Sequence, residues 1–579
     1  MTGADQPTSA SRRSNLRRWG ASCAIACLVV IVARFTDEWW VISDPDLKVN
    51  LWAARATLFV ATLLCVRGLI AAVPRMNRRR WVLLGFWSLY LLALVAVSWP
   101  AALMSDSVQE VAQSRQLVVS TWFSWIYGLA NIALLDVVPH VWFLSVVQAL
   151  GTAAVLAYAG DVISRRGAGA RFPVIAVTAV LALSAPVVAT TLLQSRDTPF
   201  AVLHLLLALV LLDTIGVRKR VTPVGLVSIG VLVGVLSVLR GDGVVLLLAP
   251  LALLLLRPDR KQLLVGTGTV VGIVLAIRVV VPAPLVLDND PFRYGLTLRL
   301  SALSAILAQT SDTADRRTGV TAADRATFDA QVAQPFFSET PEQDLRDLSA
   351  VLDLERVEQL AVPTEIPAFW AGAYRADASP AELERFNEVA DRLIRDNLAT
   401  VLADKLQSFS AASGLAPRGF TGVVSLPSEQ RFDWIPEERK VGVAADAPFP
   451  DLQEDLGRLL ASTASYDGLR PGGAALFWNL LPWMFVLLIP IVVRGRLLPE
   501  AVFAAVILAR VPLVFLAAPA AQFKYYYSVY LGGVVCAGLL LAARAARSTE
   551  PGPSAPESAG PAEPADPPIV SAREPVTTG

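Results

Sequence analysis

The sequence predicts an all-α polytopic membrane protein of about twelve transmembrane helices, with a mainly helical extracytoplasmic insert and a disordered C-terminal tail. Three observations carry that expectation. The 579-residue chain is 54% hydrophobic and only 17% charged, with a mean hydropathy of +0.54, whereas soluble domains are about a quarter charged. Apolar stretches of spanning length recur along it, and a helix needs about 20 such residues to cross a bilayer. Arginine-rich clusters separate alternate stretches, as cytoplasmic loops do.

The first span, 19–35, follows Arg12-Arg13 and Arg17-Arg18. Thr36-Asp37-Glu38-Trp39-Trp40 succeeds it in place of a small-residue cleavage site, so it reads as a retained helix with an aromatic belt and not as a signal peptide. Further spans fall at 51–73, 81–99, 138–163, 172–193, 198–215, 224–239, 244–256, 263–281, 474–493, 497–516 and 526–543. The two around Arg240 form a hairpin, because one straight helix over 224–256 would run roughly 50 Å through a core of about 30 Å. With the N-terminus inside, every strong basic cluster lands in the cytoplasm: Arg75 with Arg78-Arg79-Arg80, Arg165-Arg166 with Arg171, Arg218-Lys219-Arg220, Arg257 with Arg260-Lys261, Arg494 with Arg496, and Arg544 with Arg547. The apolar stretch 121–135 is laid against the outer membrane face, since a crossing there would put Arg165-Arg166 outside.

The resulting plan has a cytoplasmic N-terminus (1–18), a transmembrane module (19–281) whose first external loop is 100–137, an extracytoplasmic domain (282–473), C-terminal transmembrane helices (474–547) and a tail (548–579). The insert is too long for a plain loop. Ser379-Pro380-Ala381-Glu382 starts a helix in it, with proline in the first turn and an acid behind it. A further apolar-periodic run passes through Leu393, Leu398, Val401, Leu402 and Leu406, and Trp370, Tyr374 and Trp434 are aromatic candidates for an acceptor groove. The tail, rich in Pro, Ala, Ser and Glu, has too little apolar surface to fold.

Composition also excludes several functions. A net charge of +1 argues against a nucleic-acid partner. Cys23, Cys27, Cys65 and Cys536 all lie in apolar segments, which leaves no disulfide for the insert and no zinc-type spacing. Two histidines, His140 and His204, cannot build a histidine-rich metal centre. No Walker-type phosphate loop occurs, which disfavours a nucleotide-driven pump.

The polar residues that remain gather on the outer side. Asp106 follows the third span; Ser107 and Glu110 have the spacing of a capping box, and Asp106 can equally be an N-cap, so a capping role stands beside a catalytic one. Asp197, before Thr198-Pro199, has the same two readings, and Arg196 beside it can snorkel to the interface. Arg240 and Asp242 flank Gly241 at the hairpin tip, where charges are costly and often functional. Lys524 and Tyr525 stand in an aromatic loop before the last span.

In order and sidedness these strings resemble the GT-C class of polytopic glycosyltransferases, in particular bacterial members akin to protein O-mannosyltransferases and lipopolysaccharide glycosyltransferases. The likeness covers roughly 81–256 and 474–543. It rests on Pro100 to Ser107 in the first loop, Arg196-Asp197 opening a later helix, Arg240-Gly241-Asp242-Gly243 closing another, and Gln522-Phe523-Lys524-Tyr525 late in the chain. Two departures stand out: Trp122-Phe123-Ser124-Trp125 replaces a Trp-His-Pro-Pro-like string, and Gln522 replaces an acid. What the resemblance implies is a GT-C-like fold that moves a sugar from a polyprenyl-phosphate donor to an envelope glycan, lipid or protein acceptor. The site would lie outside the plasma (inner) membrane, with both termini cytoplasmic. Asp106 would be the base and Asp197 the second catalytic residue, orienting a cation, contacting the acceptor or binding a divalent ion, with Arg196, Arg240 and Lys524 on the donor phosphate and Asp242, Tyr525 and His140 as further candidates. No cofactor is implied, and a divalent cation is the less favoured variant. The Ala-, Val- and Arg-rich composition suits an actinobacterial source, and analogy with that envelope suggests arabinose or mannose on decaprenyl phosphate. A non-catalytic envelope-assembly scaffold and a secondary transporter are the competing classes; the latter sets its charges nearer the midplane and usually within repeated halves.

Overall fold

The computed structural model describes residues 9–33, 40, 42, 44–166, 168–218, 221–256, 260–288, 299–300, 302–306, 341–353, 375, 378–416, 447–464, 473–493, 495–518 and 521–548. Trp370, Tyr374, Trp434 and the tail from residue 549 lie outside them, as do residues 1–8.

The membrane portion opens with α1 (Ser9–Ala33), α2 (Lys48–Ala72) and α3 (Arg78–Val97). Helices α4 (Ser105–Arg115) and α5 (Trp125–Leu135) then fold within the loop 100–137. They are followed by α6 (Val141–Ser164), α7 (Arg171–Leu183), α8 (Ala185–Leu192), α9 (Asp197–Asp213) and α10 (Pro223–Leu239). A 3-10 helix (Gly241–Leu256) and α11 (Arg260–Leu275) complete this half. In the insert lie α12 (Pro341–Ser349), α13 (Pro380–Asp396), α14 (Leu398–Ala412) and α15 (Pro450–Ala464). The C-terminal half holds α16 (Gly473–Phe477), α17 (Leu481–Val493), α18 (Leu498–Leu508), α19 (Val511–Ala517) and α20 (Tyr527–Ser548). Two-residue strands β1 (Val119–Ser120) and β2 (Leu287–Asp288) pair in parallel and tie the loop 100–137 to the start of the insert.

Among the described residues eight helices are long and apolar enough to cross a membrane, nine if one bent pair counts as a span. The sequence suggests about twelve. The difference lies in local chemistry. Span 172–193 breaks by 63° between α7 and α8, where the Ser184 hydroxyl accepts from Val187 N at 3.4 Å and Pro186 follows. Thr222 caps α10 through Gly225 N at 3.1 Å, limiting that helix to 17 residues. Segment 244–256 is a 3-10 helix instead of a short α-helix. The first expected span, 19–35, contributes only the shorter apolar helix Arg18–Ala33, and 121–135, not counted among the twelve, contributes the 11-residue α5.

At one end of the bundle, basic residues that mark loops in the sequence also clamp helices together. Arg80 and Arg165 reach the fully buried Asp161 at 2.7 and 3.0 Å; Arg165 also meets Asp213 at 2.8 Å, and Arg166 meets Glu500 at 3.0 Å. Helix α9 carries Asp213 at that end and Asp197 at the other, about 25 Å apart at 1.5 Å per residue.

The insert starts α13 as the sequence predicts. Ser379 N–H donates to Glu382 Oε2 at 2.7 Å and Glu382 N–H to Ser379 Oγ at 3.4 Å, a capping box with Pro380 at its start. The apolar run beyond it is two helices, α13 and α14, parted at Asn397. Phe409 on α14 packs edge-on against Tyr526 at 5.3 Å, Lys405 Nζ donates to Ala518 O at 3.0 Å, and Gln453 on α15 donates to Trp99 O at 2.7 Å. The insert thus braces both the late loop and the entry to the loop 100–137.

Candidate active site

Four chain segments meet at one end of the helices, opposite the Asp161 network. The first is α4, begun at Met104, whose N–H donates to Ser107 Oγ at 3.3 Å. Glu110 plays no part in that cap, contrary to the spacing argument, and Asp106 stands inside the first turn and not at the N-cap. The loop after α4 is held by long-range bonds. Asn50 Nδ2 donates to Leu117 O at 2.9 Å, and Ser124 Oγ donates to Val238 O at 2.8 Å, just before Arg240. Leu117 and Ser124 have φ of 58° and 80°, left-handed backbone that non-glycine residues adopt at a cost and that recurs at functional sites.

The second segment leads into α9. Gln194 N–H donates to Ala102 O at 2.9 Å, which places this turn beside the loop 100–137. Arg196, not Asp197, is the N-cap; Asp197 is the first helical residue. The third segment is the tip between α10 and the 3-10 helix. There Gly243 is required by packing, since a Cβ would fall 2.0 Å from Leu236 O. The fourth is the Phe523–Tyr526 turn before α20, anchored by Phe523 edge-on to Trp478 at 4.9 Å.

These segments assemble one chain of ion pairs. Lys524 Nζ lies 3.1 Å from Asp106 Oδ2 and 3.4 Å from Asp197 Oδ2, bridging the two acids singled out by sequence. Asp197 also pairs with Arg240. Arg240 Nε donates to Asp242 Oδ1 at 2.8 Å, and Arg510 grips Asp242 Oδ2 through Nε at 2.8 Å and Nη2 at 2.5 Å. Aromatic faces back the cations: Arg240 lies 4.8 Å from the centroid of Tyr525, and Arg510 4.5 Å from that of Phe200. Arg196 donates to Trp122 O and lies over Phe123 at 5.8 Å.

Exposure divides the carboxylates. Asp197 and Asp242 are 3% and 7% exposed, whereas Asp106 is 32% exposed. Burial raises the Asp106 carboxyl, but Lys524 and then Arg196 outweigh it and hold the group below the usual carboxylate range. Asp106 is therefore an ionised carboxylate with an open side. Glu110, one helical turn on and 4% exposed, is the opposite case. Burial pushes it up to about 8, the attraction of Arg196 only partly offsetting this while Asp106 adds to it.

The structure brings together Asp106, Asp197, Arg240, Asp242, Lys524 and Tyr525, with Arg196 alongside. It leaves out His140, which sits exposed at the N-cap of α6 and makes no hydrogen bond or ion pair with the cluster. Among the described residues no group of three or more His, Cys, Asp or Glu side chains is placed to hold a metal ion, and the three aspartates of the cluster each face a cation. Two members were not drawn from the sequence. Arg510 lies within an apolar span, at the break between α18 and α19 ahead of Pro512; a lone arginine in such a stretch is itself a signal. Glu110 was masked by its capping-box spacing. No known family, curated protein or solved structure matches the chain.

Proposed function

We propose that this protein is a membrane glycosyltransferase of GT-C type that transfers one sugar from a polyprenyl-phosphate donor to an acceptor hydroxyl of an envelope glycan, lipid or protein. The observation that carries the reading is the Lys524 bridge between Asp106 and Asp197, with Asp106 the open carboxylate of the three. An acceptor hydroxyl is a weak nucleophile, and a carboxylate placed to take its proton serves as general base. The departing phosphate gains negative charge, which fixed cations in a site poor in water stabilise.

In this mechanism the acceptor oxygen bonds to the anomeric carbon from the face opposite the phosphate, with inversion. The bond from that carbon to the phosphate oxygen breaks, Asp106 receives the hydroxyl proton, and polyprenyl phosphate leaves. Lys524 and Arg240 offer their charge to the phosphate, with Arg196 at the rim; Arg240 suits a bidentate contact and Lys524 a point charge. Asp197 and Asp242, both buried, hold these cations in place. Arg510 acts through Asp242 as a positioning residue.

The same reading places the protein in the plasma membrane with twelve crossings, both termini cytoplasmic and the cluster extracytoplasmic. The short and irregular spans are compatible with this. The 3-10 helix, at about 2.0 Å per residue, covers about 32 Å with its 16 residues, matching a core of about 30 Å. The Arg80–Asp161–Arg165–Asp213 network sits at the far end of α9, on the side where basic residues belong.

The test is sugar transfer by purified protein in lipid discs, with a panel of polyprenyl-phosphate pentoses and hexoses and an envelope extract as acceptor. Wild type is expected to turn over and a folded Asp106→Asn variant to lose at least a hundredfold. Equal transfer by both would reject Asp106 as base. Failure of folded wild type with every donor would reject the enzyme class.

A further inference from the structure

We propose that the cleft between the 3-10 helix and α11 is a binding site for one anionic phospholipid of the membrane leaflet remote from the Asp106 cluster. An acyl chain would lie in the cleft and the phosphate at Lys261. The site is separate from the ion-pair cluster and stands whatever reaction that cluster carries out.

The cleft arises from the way three elements pack. Helix α10 touches both the 3-10 helix and α11. Toward the cluster end α11 closes onto glycines of α10: a Cβ on Gly234 would fall 2.6 Å from Ile277 Cδ1, and one on Gly230 3.1 Å from Ile273 Cδ1. Toward the other end the fit loosens, and a Cβ on Gly266 would sit 3.5 Å from Leu226 Cδ2. A cavity of about 670 Å³ opens there, bounded by Val221 and Leu226 at the start of α10, Leu247 and Leu254 on the 3-10 helix, and Lys261 and Val271 on α11. Cavities of about 300–1,000 Å³ are the size that holds small ligands. Leu251 and Val265, on its two facing walls, are each 58% exposed, so the protein leaves this apolar lining uncovered. Water finds few partners on such a surface, whereas hydrocarbon matches it.

Depth selects the kind of hydrocarbon. Along α11 the lining runs from residue 261 to 271, about 15 Å at 1.5 Å per residue. Along the 3-10 helix it runs from 247 to 254, about 14 Å at 2.0 Å per residue. Both lengths are half of a core of about 30 Å, the depth of one leaflet. The leaflet is the one away from Asp106, because Gly241 stands at the cluster and Leu256 at the opposite end of the 3-10 helix. None of residues 241–246 borders the cavity. A polyprenyl chain whose phosphate sat in the cluster would have to pass about 12 Å of 3-10 helix before entering it.

Charge selects the headgroup. Lys261 borders the cavity at its remote end and is exposed. The two strings of sequence that lead into the lining there, 218–221 and 257–261, hold Arg218, Lys219, Arg220, Arg257, Arg260 and Lys261 against the single acid Asp259. Basic residues beside an apolar membrane surface attract anionic headgroups, and a lysine meets a phosphate as a point charge.

The experiment titrates the full-length protein in detergent with phosphatidylglycerol or phosphatidylcholine bearing the same palmitoyl and oleoyl chains, and counts bound lipids by native mass spectrometry. Wild type is expected to fill one site with phosphatidylglycerol at a concentration at least tenfold below that for phosphatidylcholine. Lys261→Glu, and Val265→Trp, which fills the cavity, should each raise that concentration at least fivefold, with folding checked by thermal melt. Arg547→Glu makes the same reversal of charge at the end of α20, away from the cavity, and should change it less than twofold. Equal binding of the two lipids by wild type would overturn the proposal, and does so without any variant should the substitutions fail to fold. Equal losses in Lys261→Glu and Arg547→Glu would reduce the effect to diffuse surface charge and overturn the site. Complete displacement of phosphatidylglycerol by equimolar decaprenyl phosphate would assign the cavity to a polyprenyl chain and overturn the phospholipid.

Discussion

Replacing Lys524 with methionine is expected to disable transfer while leaving the helices in place. The ammonium sits 3.1 Å from Asp106 and 3.4 Å from Asp197 and is only 5% exposed. At an effective dielectric constant of about 20, each such pair carries about 5 kcal/mol of gross attraction, less for Asp106 because a third of it meets solvent. Desolvation removes most of that from net stability, but the charge is also aimed where the leaving phosphate would develop its own. Loss of one preorganised group of this kind costs about 10²–10³ in rate, or about 3–4 kcal/mol. Methionine keeps the length and apolar stem of lysine, so packing against Met104 and Tyr525 changes little. A second effect has a definite sign. Lys524 holds the Asp106 carboxyl down against burial, so without it the carboxyl rises and the acid limb of the rate profile moves to higher pH. The assay is kcat/KM for transfer in lipid discs between pH 4 and 8, with Lys524→Arg as a control that restores charge. A Lys524→Met protein within threefold of wild type, with an unmoved acid limb, would refute the reasoning.

Two further outcomes follow from the packing. Arg510→Leu removes one partner of a buried pair and is expected to destabilise the protein by about 3–5 kcal/mol, read as a lowered melting temperature in discs, with Asp242→Asn recovering part of the loss in the double variant. Gly243→Ala forces a Cβ onto the Leu236 carbonyl, whereas Gly241→Ala meets nothing within 4 Å. The first should cost about 1–3 kcal/mol and impair transfer, and the second should be tolerated in the same melt and assay.

The loop 100–137, α10 with its hairpin tip and the late loop are distant in sequence, yet each string that drew attention there contributes a side chain to one ion-pair chain. That much was legible because charges at the ends of apolar spans are costly and rarely idle. Partnerships were not legible. The pairing of Lys524 with both Asp106 and Asp197 depends on how α4, α9 and the turn before α20 approach one another, and no local spacing encodes that approach. His140 shows the converse: its place at a helix start looked useful, yet it is exposed and makes no hydrogen bond or ion pair with the cluster. Glu110 was misjudged because a residue three places after a serine fits a cap on paper, while the helix in fact begins at Met104.

Apolar length, low charge and alternating arginine clusters determined by themselves that the chain is a helical membrane protein, because lipid admits few other backbones and the basic loops resist translocation. The insert's α13 was likewise determined by its own capping box. Only the tertiary structure decided that span 172–193 bends at Ser184, that residues 241–256 wind as a 3-10 helix, and that Arg510 completes the cluster. Those features are set by neighbouring helices: a buried charge must find its partner, and the backbone bends or tightens where packing allows the two to meet.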